Sequence, residues 1–425
     1  MSVETIASTP VSEESHHRSS FFRQSGWLMI ATVGGGVFMW AMHFLSKAIP
    51  VGEYGQFGVF LAVTICVPSM PLQMVLAQQT AKAIALNREH ELSGLIRFAW
   101  LTILAVWLVG AGIVLFFQGT ILQHWKVSNP AALYLTLPVV LFQAWLPMFW
   151  GVLQGKQNFL WLGWSMMVQG VGRLGLAAVA VFLFHLYAAG MVSGMLGGLT
   201  ISLLVAVWTT RSLWLPSPTS FDWRGVMAQV MPLILAFGAY QFLLTADTMF
   251  VRAYFSEATS AFYVSAGTLS RATLWLVGPL ATVMFPKIVH ARAKAQESDL
   301  MGIVLTGTLV LAAGGAMGLW ILGPWVVKFM FTPAYIKAAS AMLPWYAWSV
   351  VPLSVANVLL NNLLARGQFK VVPALCILAP LYAFALTRFH GEPISVIKTL
   401  GAFNTLLMII CAYYTWLVKP KAQPA

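Results

Sequence analysis

The chain has 425 residues, 59% of them hydrophobic and only 8% charged, with a mean hydropathy of +0.80 and a formal net charge of +12. Such a composition excludes a soluble globular enzyme, and apolar runs of about 20 residues recur at the length that crosses ~30 Å of hydrocarbon. The excess positive charge is read as a topological bias and not as a nucleic-acid surface.

The residues before Trp27 are polar and mixed in charge (Glu4, Glu13, Glu14, His16, His17, Arg18), with no short apolar core before a small-residue cleavage site. They do not read as a cleaved signal, so residues 1–24 are expected to be a cytoplasmic tail ahead of a retained first span. Twelve spans are expected, at 25–48, 57–81, 95–118, 131–153, 158–184, 187–208, 226–254, 260–285, 301–323, 340–364, 370–387 and 394–418. The runs are continuous and do not alternate in polarity, which predicts helices and not a barrel. The polar linker 209–225 divides them into bundles at 25–208 and 226–418, and 419–425 forms a cytoplasmic C-terminal tail.

The tails and every second loop carry fifteen of the 24 Lys and Arg residues, the opposite loops seven, and the other two lie inside spans. This asymmetry predicts that both termini are cytoplasmic. A shift of 206 positions lays Phe44 on Phe250 and Gly55-Gln56-Phe57 on Ala261-Phe262-Tyr263, matching the junction of spans 1 and 2 to that of spans 7 and 8. Related halves with a site between them near the midplane are a common transporter plan.

The two intramembrane cations are Arg173 in span 5 and Arg271 in span 8. An arginine near mid-bilayer costs at least ~2.5 kcal/mol, so it is expected to face a protein interior or a water cavity. Guanidinium forms two parallel hydrogen bonds to a phosphate, so a cavity with both points to an anionic cargo; pairing of each with a carboxylate or carbonyl is the alternative. Gln169 lies one turn before Arg173, and Thr268 and Trp275 share a face with Arg271. His43 and Lys47, near the outer end of span 1, extend the basic cavity or anchor the interface.

Asp247 is the only acidic residue deep within a span, on a face with Tyr240 and Tyr254. It is read as a charge partner for an arginine such as Arg271, with proton or sodium coupling as the alternative. Arg252 is expected to snorkel at the outer interface. In span 10, Ser354, Asn357 and Asn361 form a polar stripe for sugar hydroxyls or for helix contact. Gly190, Gly194 and Gly198 make a small-residue ridge on span 6, and Cys66, Cys376 and Cys411 are read as packing residues.

Phe21-Phe22-Arg23, the stretch Phe44 to Phe60 with Glu53-Tyr54-Gly55-Gln56-Phe57, and Ala246-Asp247 through Tyr263 to Ser270-Arg271 resemble the Wzx-type O-antigen and polysaccharide flippases. These belong to the superfamily that also holds the MATE drug exporters and the lipid II flippases. The resemblance runs over roughly residues 21–415 and implies two six-helix bundles in a bacterial inner membrane, moving an undecaprenyl-pyrophosphate-linked oligosaccharide to the outer leaflet. Membrane lipids are the implied surroundings, and polysaccharide polymerase and chain-length machinery the implied partners. Many relatives have fourteen spans, against twelve here.

There is no Gly-x-x-x-x-Gly-Lys-[Ser/Thr] loop and no embedded cluster with metal-ligand or acid/base spacing. A transporter without a cofactor is therefore expected. A cation-coupled exporter of the same fold, or a membrane enzyme of polysaccharide assembly, are the alternatives.

Overall fold

The computed structural model describes the backbone of residues 11–293 and 300–418, and side chains of residues 26–274, 277 and 301–418. Residues 1–10 and 419–425, and the side chains of residues 11–25 and Trp275, lie outside the described residues, so most of the expected tails do too.

The helices are α1 (Val11–Ala41), α2 (Val51–Ile65), α3 (Met70–Ala85), α4 (Glu89–Phe116), α5 (Gln118–His124), α6 (Ala131–Gly155), α7 (Phe159–Phe182), α8 (Tyr187–Trp214), α9 (Trp223–Tyr254), α10 (Glu257–Ala293), α11 (Leu300–Met330), α12 (Pro333–Ala365), α13 (Val372–Arg388) and α14 (Pro393–Trp416). Eleven stretches among the described residues are long and apolar enough to cross a membrane, and they fall on every expected span but the eighth. That span lies on α10, a helix of 37 residues.

Local chemistry sets the breaks. The second span is two helices, α2 and α3, parted at Cys66–Ser69 where Pro68 and Pro71 withhold backbone donors. The first span does not remain α-helical to its end, because Met42–Ala48 winds into a 3-10 segment before Pro50. Asn158 and Asp222 start α7 and α9 by accepting from Trp161 N at 3.4 Å and Gly225 N at 3.0 Å.

In the first half, α7 is held between α1 and α8, and α8 also packs on α6. In the second, α12 is the core helix, flanked by α10, α11 and α14, while α9 packs on α13. The connection Leu215–Asp222 is strapped to α4: Arg97 donates to Trp214 O (3.0 Å), Leu215 O (2.9 Å) and Pro216 O (3.1 Å), and Ser93 Oγ to Pro216 O (2.7 Å).

The halves meet chiefly through α2 and α3 against α9 and α10. Gly55 lies against Ala261, whose nitrogen would stand 2.9 Å from an added Cβ, and Gly58 lies against Val264. Both pairs are separated by 206 positions, the shift at which the halves align, as expected where a pseudo-twofold axis brings equivalent residues together.

At the end of the bundle that carries the Met42–Ala48 segment and the α9–α10 turn, cations close the interface on backbone carbonyls, all but Gly52 O at helix carboxyl ends. Arg252 of α9 donates through Nε to Trp125 O (2.7 Å), Nη2 to Lys126 O (2.8 Å) and Nη1 to Gly52 O (3.3 Å). Lys126 returns a bond to Phe255 O at 2.7 Å, and Lys47 Nζ reaches Phe329 O at 2.7 Å. The last carbonyls of a helix have no partner within it and carry its negative pole, so cations satisfy both. Arg252, expected to snorkel, is instead 1% exposed. Carbonyls more than a hundred positions away take up its donors, which helical-face reasoning on span 7 alone does not reveal.

Candidate functional site between the two halves

The position of Arg173 follows from small residues on its neighbours. Gly194 and Gly198 of α8 lie against the α7 backbone, where an added Cβ would stand 2.6 Å from Arg173 O and 2.7 Å from Arg173 N. On another side of α7, Gly170 abuts Gly35 of α1. Ser165 and Ser202 lock α7 to α8 at 2.7 Å, with Trp150 Nε1 of α6 donating to Ser165 Oγ at 2.8 Å. The glycine ridge thus packs helices and fixes the height of the arginine.

Arg173 is partly exposed, and its Nε is buried without a hydrogen-bond partner among the described residues. Gln169 is buried one turn earlier. His43 stands on the 3-10 segment that packs against α7 and bonds through Nδ1 to Tyr54 Oη at 2.9 Å; Tyr54 Oη donates to Thr268 Oγ1 at 3.5 Å. This chain crosses from the first half to α10, ending one turn before Arg271.

Arg271 has a different environment. Its Nη2 stands 2.8 Å from Asp247 Oδ1, and Nη1 and Nη2 each reach Thr248 Oγ1 at 3.3 Å. The guanidinium lies 5.3 Å from the Tyr346 ring centroid, and its Nε is buried without a partner among the described residues. Asp247 Oδ2 accepts from Tyr263 Oη at 2.8 Å and from Tyr346 Oη. Asp247 is wholly buried, while the Arg271 side chain keeps 16% exposure.

Some sequence expectations assemble here and others do not. Arg173, Gln169 and His43 are neighbours, and Asp247 pairs with Arg271. Lys47 is exposed and engaged at the far end of α11. In a 3-10 segment, four residues turn a side chain about 120° away from His43, where an α-helix would have kept both on one face. Asn361 Nδ2 donates to Asn357 O (2.8 Å) and Oδ1 (2.9 Å). Asn357 stands eleven residues beyond Tyr346 on α12, roughly 16 Å along the helix from the Asp247 cluster. Asp247 makes no bond to Tyr240 or Tyr254 in the described structure; Tyr254 stacks on His390 at 3.9 Å between ring centroids. Tyr54, Tyr263 and Tyr346 were missed. Helical spacing offered no signal, because their bonds run between helices.

The sequence model described as lipid II flippase MurJ matches residues 69–424. The chain belongs to that family. As a member of the lipid II flippase MurJ family it is a multi-pass protein of the bacterial inner membrane, and its family consists of transporters and not enzymes. The resemblance to polysaccharide flippases thus led to the right superfamily, while the family that matches is the MurJ one.

The fold is similar to that of an inward-facing multidrug resistance MATE family transporter of the MOP superfamily, with a TM-score of 0.74 at 11% identity over 93% of this chain and 97% of that one. It is similar to lipid II flippase MurJ in an inward closed conformation, with a TM-score of 0.67 at 15% identity over 92% and 87% of the two chains. It also resembles the Vibrio cholerae MATE transporter VcmN, with a TM-score of 0.60 at 15% identity over 94% and 96%. At such identities these likenesses establish the fold alone. No curated protein matches the sequence.

Proposed function

We propose that this MurJ-family protein moves a polyprenyl-pyrophosphate-linked saccharide from the cytoplasmic to the outer leaflet by alternating access of its two halves. The observation that carries this reading is Arg173, an intramembrane guanidinium with a buried, unpartnered Nε and no ion pair among the described residues. A charge costing at least ~2.5 kcal/mol to place there is accounted for by an anion that comes and goes. The pyrophosphate binds Arg173, with Gln169 and His43 beside it, and draws on Arg271 across the interface. The prenyl tail stays in lipid. A potential positive outside favours outward movement of the anion by about 2.3 kcal/mol per charge per 100 mV.

The positive-inside count favours cytoplasmic termini, and in that orientation the Arg252, Lys126 and Lys47 contacts close the outer end. Closure there supports a state that loads from the cytoplasm. Asp247 already receives Arg271, Tyr263 and Tyr346, which favours a charge partner over a proton or sodium site and counts against a cation exporter.

The test follows lipid-linked saccharides in the inner leaflet of cells lacking the protein and complemented with wild type or Arg173→Ala. A polyprenyl-pyrophosphate saccharide accumulates in the deletion and is cleared by wild type but not by equally expressed Arg173→Ala. The accumulating headgroup separates a peptidoglycan precursor from an O-antigen or capsule unit. Unchanged pools of every such lipid in the deletion defeat the assignment.

A further inference from the structure

Arg271 is the second cation available to a bound phosphate, yet it is occupied by the protein's own carboxylate. We propose that Asp247 is an internal anion that competes with the substrate's phosphate for Arg271, so that this half of the site binds only by exchange. The inference rests on the phosphate assignment made above for Arg173.

Three features distinguish this pair from a static salt bridge. The first is that Arg271 is under-used. Guanidinium has five donors, and here one short bond goes to Asp247 while those to Thr248 are long, at 3.3 Å. Its Nε has no partner among the described residues, and the side chain retains 16% exposure. The second is that the guanidinium lies over the Tyr346 ring at 5.3 Å. Contact with a ring face holds the cation in place and leaves its donor edges free to change partner.

The third concerns the carboxylate that is released. Removing the partner of a buried ion normally strands a charge at a cost of about 3–5 kcal/mol, which makes most buried pairs inert to competition. Asp247 differs because its other oxygen already receives two phenols, Tyr263 Oη at 2.8 Å and Tyr346 Oη. Charge-assisted bonds from two hydroxyls keep the carboxylate solvated by protein when Arg271 turns to the phosphate. The tyrosines therefore make the exchange reversible, and Asp247 takes the cation back when the headgroup leaves. As a positioning residue it sets affinity: strong enough with Arg173 to capture a phosphate, weak enough to release it.

The experiment measures binding of inorganic pyrophosphate by isothermal titration calorimetry to the full-length protein in nanodiscs, with each variant's melting temperature recorded alongside. Asp247→Asn, which keeps the side-chain shape but removes the competing charge, binds pyrophosphate about tenfold more tightly than wild type. Tyr263→Phe combined with Tyr346→Phe leaves Asp247 dependent on Arg271 and binds about fivefold more weakly.

An Asp247→Asn protein that melts like wild type but binds no tighter overturns the exchange and makes Asp247 a scaffold. If Asp247→Asn does not fold, the double tyrosine variant decides, and unchanged affinity there overturns the proposal equally. Arg173→Ala separates the two levels of argument. Loss of binding in Arg173→Ala without tightening in Asp247→Asn sinks the exchange alone. Wild-type binding in Arg173→Ala sinks the phosphate assignment, and the exchange with it.

Discussion

The two intramembrane arginines differ in how their charge is met. Arg271, in the second half, sits against Asp247 at 2.8 Å within a cage of tyrosines, whereas Arg173, in the first, has no carboxylate among the described residues. Identical side chains within apolar helices thus carry different burdens. One is part of a neutral unit on which the packing of α9, α10 and α12 depends, and the other is a net charge held in place by close helix packing. The largest expected effect is on the paired member. Arg271→Ala leaves the buried Asp247 carboxylate to its two phenols alone and destabilises the fold by about 3 kcal/mol, the low end for a buried ion that loses its partner, read as a lower melting temperature in nanodiscs. Adding Asp247→Asn removes the stranded charge and recovers most of the loss; a double variant as unstable as the single would show that the two side chains are not coupled.

The same truncation at Arg173 is expected to leave the melting temperature at or above that of wild type, because it removes a charge that folding had to bury. Its cost falls on transport. Loss of a charge-assisted contact to a phosphate is worth about 1.5–3 kcal/mol, or roughly 10- to 100-fold in flipping rate at subsaturating substrate. Arg173→Lys keeps the charge but not the two-pronged donor geometry and is expected to fall between. A drop in stability for Arg173→Ala as deep as that for Arg271→Ala would erase the contrast between the two.

Part of this contrast is legible in the sequence. A rare charge in a strongly apolar chain stands out, so the spans, the two arginines and Asp247 could be singled out, and Asp247 could be paired with Arg271 because no other carboxylate lies as deep. The tyrosines that cage Asp247 could not, since aromatic residues in apolar helices are ordinarily packing and their bonds run across 16 and 99 positions. Sequence spacing left Lys47 either in the cavity with His43 or at the interface, and the 3-10 segment turns it away from His43 toward Phe329 O. Asn361 bonds to Asn357 along α12, but the distance of the pair from the arginines depends on where α12 meets Asp247.

The clamps formed by Arg252 and Lys47 repeat the contrast on a smaller scale. Ser46 is the equivalent of Arg252 under the 206-position shift, and Lys47 follows it, so the two clamps occupy matching places in the halves. Their strengths differ. Arg252 is buried and spans three carbonyls, while Lys47 is exposed and holds one. Arg252→Ala is expected to shift the population toward an open far end by about tenfold, since several charge-assisted bonds are lost and water only partly replaces them on opening. Spin labels placed across that end report it as a longer distance distribution.

Lys47→Ala removes one solvent-screened contact, worth less than about 1 kcal/mol, and the same labels are expected to move little. The two clamps flank the α2–α10 contact on the pseudo-twofold axis, so unequal strength means that they do not release together. The 3-10 end of the first span, Met42–Ala48, parts from α11 first, while Arg252 still holds α9 to the carboxyl end of α5. Labels between Phe44 and Phe329, whose rings meet at 5.3 Å, should therefore separate in wild type under conditions that leave a pair spanning Trp125 and Tyr254 unchanged. Simultaneous separation at both pairs would show that burial of Arg252 confers no order on the opening.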